Sequence, residues 1–101
     1  MSLRVLRSGQ ARHDLLHHFG YIARDNVDAA NRFLDAYERG TLTIGENPEI
    51  GSSRILRSKK IRLVRIWPLP SFDKYLLVYS VRERTILILR VLHASQDYTR
   101  L

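Results

Sequence analysis

The sequence contains no cysteine. No disulfide can staple the fold and no thiolate can hold zinc, and the absence suits a reducing cytoplasm. No apolar run approaches the roughly 20 residues of a membrane helix, and the N-terminus lacks a signal-peptide apolar core. A cytoplasmic protein with no membrane partner is therefore expected. No glycine-rich phosphate loop is present, and no serine sits in a recognisable nucleophile setting. Repeats and low-complexity segments are also missing. Carboxylates are scarce in one half only: residues 1–50 carry six basic and seven acidic side chains, residues 51–101 eleven and three. The whole net charge of +7 thus arises in the second half. Charge needed only for solubility has no reason to gather there, so the asymmetry points to a polyanionic partner, either nucleic acid or an acidic protein segment.

What is present suits one packed domain spanning residues 1–101, with 45% apolar residues. Leu3 to Arg7 reads as a short strand, and Ser8 is placed to cap a following helix. Ala11, Leu15, Phe19 and Ile22 recur at helical spacing, with Leu16 and Ala23 widening that face and Gly20 loosening it. A second helix starts near Asp25-Asn26, with Val27, Ala30, Phe33, Leu34 and Tyr37 on its apolar stripe. Its signal fades past Tyr37, where Gly40, Thr41, Thr43 and Gly45 are poor interior residues, and Asn47-Pro48 closes it. So short a junction predicts a helical hairpin.

Ser52 to Lys60 is polar and basic, a loop or an edge strand. Ile61 to Trp67 reads as a strand stopped by Pro68 and Pro70; Tyr75 to Val81 and Ile86 to Leu92 follow, joined by a hairpin-sized Arg82–Thr85. The last strand is apolar on both faces and should be covered on both. The fold class is α+β, in the order β-α-α-β-β-β, with the helical hairpin on one face of a small, mainly antiparallel sheet.

Several segments in this order resemble the ParE/RelE superfamily of toxins from bacterial type II toxin–antitoxin pairs, the plasmid-stabilisation proteins. They are Ala29-Ala30-Asn31-Arg32-Phe33-Leu34, Asn47-Pro48-Glu49-Ile50-Gly51, Tyr79, and Arg90-Val91-Leu92-His93 followed by Gln96-Asp97. The ending is most similar to the ParE branch. The resemblance implies a toxin neutralised by an antitoxin encoded beside it, with oligomers formed through that antitoxin. ParE-like members are linked to inhibition of DNA gyrase, whereas RelE-like members cleave mRNA on the ribosome. Fold alone does not choose between them.

Cleavage through a 2′-hydroxyl requires a base, an acid and cations around the phosphate. Were the chain a nuclease, Arg62, Arg65, Arg82, His93 and Tyr98 would supply these. Otherwise His93 and Asp97 fix the C-terminal tail, and Arg90, flanked by apolar residues, pairs with Asp97 or with an acid on the helices. The stretch holding Arg54, Arg57, Lys59, Lys60, Arg62 and Arg65 has no acid within it. It is either a charged edge strand that deters pairing or a docking surface. Ile55 and Leu56 among these charges favour a protein partner, for which Trp67 is a further candidate anchor where it does not instead cap the core at its proline turn. The four-residue spacing of His13 and His17 would let them share a metal on one helix face, but His13, His17 and His18 are expected as exposed helix residues, and no metal site and no cofactor is assigned.

Overall fold

Ser8 ends one element and begins the next. In the computed structural model, which describes residues 2–57 and 61–96, β1 is Arg4–Arg7 and α1 is Gly9–Asp25. Between them the Ser8 hydroxyl accepts from the Ala11 N–H at 3.0 Å and donates to the Leu89 carbonyl at 2.8 Å. One of the helix's free N–H groups is thereby satisfied, and the helix start is tied to the sheet. Asn26 does a double task. Its N–H donates to Ile22 O and closes α1, while its side-chain oxygen accepts from the Ala29 N–H and opens α2, Val27–Glu46.

On α1 the buried face is Ala11, Asp14 and His18, with Leu15 and Ile22 packed beside it. Leu16, expected on that face, is 72% exposed. α2 does not fade at Tyr37 but continues to Glu46, because its buried stripe runs on through Gly40, Thr41, Ile44 and Gly45. The glycines cost helix propensity but permit close approach. A Cβ on Gly40 would stand 3.0 Å from Leu69 Cδ2, and one on Gly45 would stand 3.3 Å from the Leu3 carbonyl. Arg7 ties β1 to the same helix, its guanidinium donating to the Tyr37 and Thr41 hydroxyls, both at 3.1 Å.

The remaining strands are β2 (Ser52–Arg57), β3 (Ile61–Leu69), β4 (Phe72–Arg82) and β5 (Thr85–His93). The five strands lie in the order β1-β5-β4-β3-β2; β1 runs parallel to β5 and every other pair is antiparallel. The segment read as loop or edge strand is the edge strand β2. β3 does not stop at Pro68. The β2 ladder begins only at Ser52↔Ile66, so Pro68 has β4 alone beside it and its missing N–H breaks no second ladder.

Two apolar clusters form on the two sheet faces. The helix-side core includes Phe33, Tyr37 and Ile44 from α2 with Leu69, Leu77, Tyr79, Ile86, Ile88 and Val91 from the sheet. On the other face Leu56, Val64, Ile66, Val78 and Leu92 are at most 7% exposed, although neither helix contributes to them. They are buried because the sheet curls. A cavity of about 90 Å³ on this face is lined together by Ser8 and Gln10, by Leu56 and Arg62, and by Leu89 and Arg90, so strands distant in the sheet order approach one space. Register shifts at Pro68/Leu69 and Val78/Tyr79 add to the twist that curls it. β5 is thus covered on its helix-facing side, while on the other Leu92 is buried and Leu87 and Leu89 are only half-buried, so the cover expected on both faces is partial on the second.

Candidate partner-binding face

The polar end of β5 is held from α1. Arg90 Nε donates to Asp14 Oδ2 at 2.7 Å and its Nη2 to Oδ1 at 3.0 Å, a two-point pair that raises the arginine pKa. The same carboxylate accepts the Val91 N–H at 3.0 Å. Of the two partners expected for Arg90, the acid on a helix is the one observed; Asp97 lies outside the described residues. Asp14 was not singled out from the sequence, but it stands three residues from Ala11 on the buried stripe. A carboxylate in that position requires a cation opposite.

His18 lies one turn further along and is buried rather than exposed, which corrects the expectation for that histidine; His13 and His17 are exposed. Its Nε2 lies 2.8 Å from the Val91 carbonyl, which can only accept, so Nε2 carries the proton. Burial lowers the His18 pKa, and the hydrogen bond and nearby Asp14 oppose that shift. Edge-on contacts run from His18 to Tyr75 at 5.0 Å and from Tyr75 to His93 at 5.1 Å. His93 closes the turn after β5. Its N–H donates to Gln96 Oε1, and its Nδ1 accepts from the Ser95 N–H at 3.1 Å, with the Ser95 hydroxyl 2.7 Å away.

Arg65 faces the helix side. Its Nη1 donates to the Gly51 carbonyl at 2.7 Å and the Glu49 carbonyl at 3.2 Å. Across the ladder, the Tyr79 hydroxyl donates to the Pro48 carbonyl and accepts the Gly51 N–H, both at 2.9 Å. Burial raises the pKa of this phenol. Arg65 and Tyr79 together fix the Asn47–Gly51 break. A Cβ on Gly51 would fall 2.8 Å from the Tyr79 oxygen, which only glycine avoids.

Arg62 and Arg82 come together elsewhere. With Leu6, Leu87, Leu89 and the carboxylate-bearing Glu83 they line an open cleft of about 780 Å³. Both arginines are exposed, and Leu6 is 40% exposed. His93 is far from them: it pairs with Tyr75 at one end of the β4–β5 ladder, whereas Arg82 pairs with Thr85 at the other. Seven residues of strand separate the two ends, roughly 23 Å at the usual rise. The nuclease-type set is therefore divided, with Arg62 and Arg82 at the cleft, Arg65 bound to loop carbonyls, and His93 in its own turn. Tyr98, Lys59 and Lys60 lie outside the described residues. Arg54 is exposed on β2 and donates to the neighbouring Ser53 carbonyl at 2.9 Å, while Arg57 ends that strand. Trp67 is half-buried, packed against the helix-side core beside Gly40. Among the described residues no group of three or more His, Cys, Asp or Glu is placed to hold a metal ion, and no helix is long and apolar enough to cross a membrane.

Comparison with known proteins agrees with this architecture. Residues 5–98 match the family model for the ParE toxin of the type II toxin–antitoxin system, parDE. No curated protein matches the chain. Among solved structures, one from the chromosomal ParDE TA system from P. aeruginosa aligns with a TM-score of 0.69 at 16% identity, covering 91% of this chain and 96% of that one. At that identity the likeness is one of fold.

Proposed function

Because the chain belongs to the ParE toxin family of type II toxin–antitoxin systems, we propose that it arrests growth by binding DNA gyrase in the cytoplasm and is held inactive by a cognate antitoxin. Oligomers then form through the antitoxin. The separation of Arg62 and Arg82 from Arg65 and His93 supports action by binding rather than by RNA cleavage. General acid–base chemistry requires its groups within hydrogen-bond reach of one reacting centre. A cation bound to two carbonyls and a histidine closing its own turn serve the fold instead.

The test is a gyrase supercoiling assay with purified, antitoxin-free protein. Inhibition with trapped, cleaved DNA is expected, and His93→Ala should inhibit as well as the wild type. No effect from folded protein at high excess would transfer the reading to ribosome-dependent mRNA cleavage of the RelE kind. In that case Arg62→Ala, Arg65→Ala or His93→Ala should abolish cutting while leaving the fold intact. Soluble protein that causes no growth arrest when expressed without antitoxin would mark a member that binds its antitoxin and nothing more.

A further inference from the structure

We propose that His13 and His17, on the outer face of α1, bind an imidazole-seeking divalent cation of the Zn²⁺ class, with water in its remaining coordination positions. α1 runs unbroken from Gly9 to Asp25, so residues four apart stand one above the other, with about 5–6 Å between their Cβ atoms. At that spacing two imidazoles can reach one tetrahedral centre through bonds of about 2.0–2.1 Å. Both residues are exposed. The histidine rings that hydrogen-bond within the fold are those of His18 and His93, so among the described residues the rings of His13 and His17 are committed to no polar partner. His17 also rests edge-on against His18, with ring centroids 5.7 Å apart, which steadies one ligand before the metal arrives. Gly20 leaves the flank beyond His17 open, since a Cβ there would meet nothing within 4 Å.

The run His13-Asp14-Leu15-Leu16-His17 has the spacing of the zinc-protease helix pattern His-Glu-x-x-His, in which the acid is a general base. Here the acid is Asp14, and its carboxylate is turned inward to Arg90 and the Val91 N–H. The pair therefore has no base beside it and can bind without hydrolysing. Two protein ligands are fewer than the three of a catalytic zinc site, so the metal exchanges readily. Imidazole nitrogen selects zinc, nickel or copper over magnesium and calcium, which require oxygen. Arg12 is exposed next to His13 and repels any cation, but water screens that repulsion and leaves the coordination bonds intact. The inner face of the same two turns carries Asp14 and His18, which hold β5. A cation across the outer face would brace these turns. The unfolded chain does not keep the four-residue spacing, so bound metal should stabilise the fold.

The experiment titrates the full, untagged chain with Zn²⁺ in competition with a chromophoric zinc indicator. Saturable binding of one equivalent is expected, undisturbed by excess Mg²⁺. His13→Ala and His17→Ala should each weaken it by at least about tenfold, and His93→Ala should leave it unchanged. Leu16 is 72% exposed, so Leu16→His added to His17→Ala rebuilds a pair three apart on one face and should restore binding. Arg12→His added to His13→Ala keeps the number of histidines but sets them five apart, on different faces, and should not. Circular dichroism confirms that each variant is folded. Zn²⁺ should raise the thermal midpoint of the wild type and leave that of His17→Ala unmoved. No saturable binding, displacement by Mg²⁺, an equal loss in His93→Ala, or full binding by the pair set five apart would each overturn the proposal.

Discussion

Asp14 accepts three hydrogen bonds from one strand, two from Arg90 and one from the Val91 backbone. Asp14→Ala would leave a half-buried guanidinium and a buried N–H without a partner. The expected loss is about 3 kcal/mol, read as a lower urea midpoint at unchanged slope. Asp14→Asn keeps the shape and one acceptor, so it should recover part of that loss. His18 adds a dependence on pH. Its folded-state pKa lies below the ordinary 6.5, chiefly through burial, so the unfolded chain takes up the proton first as pH falls. The contribution of His18 is complete above 6.5 and is lost as pH falls through the folded-state value. Stability curves for wild type and His18→Gln should therefore converge as pH drops below 6.5, whereas parallel curves would show that His18 does not titrate across folding.

At the level of elements, two helical glycines have opposite reasons to be glycine. Around Gly20 a Cβ would meet nothing within 4 Å, whereas at Gly40 it would press on Leu69 and Leu77. Gly20→Ala should stabilise by roughly 0.5–1 kcal/mol, and Gly40→Ala should destabilise by about 1–2 kcal/mol despite its better helix propensity. Thermal melts of both variants check the contrast. The same pair shows how far local reading reaches. The Ser8 cap, the Asn26 junction and the need of Arg90 for a carboxylate are local facts of chemistry, and they are legible in the chain. The second half of α2 is not, because a glycine that breaks a helix and a glycine that lets a helix meet a strand are the same letter. Which of the two it is depends on Leu69, almost thirty residues away. The candidate site was less legible still. Arg62 and Arg65 are three apart in one strand, yet the pleat sends them to opposite faces, and only sheet curl brings Arg62 near Leu89. Curl is set by bulges and long-range pairing, which leave no periodic mark.

Across the whole molecule, the net charge of +7 acts before contact. Association with an acidic partner should slow as salt is raised through the physiological range, with a smaller change in dissociation. Stopped-flow mixing at several ionic strengths measures this, and a salt-independent association rate would sink the electrostatic part of the account. The parallel pairing of β1 with β5 has a further consequence, one of time. Of the described strands β1 is made first, and the strand it pairs with, β5, is made last. About eighty residues separate them, which at about 5–20 residues per second leaves β1 unpaired for roughly 4–16 s of synthesis. The wall of the cleft that Leu6 provides therefore has no partner until nearly all the described chain has been made. A nascent chain cut short before Thr85 is in that sense not a weaker copy of the protein, because it lacks the strand against which its own beginning must fold.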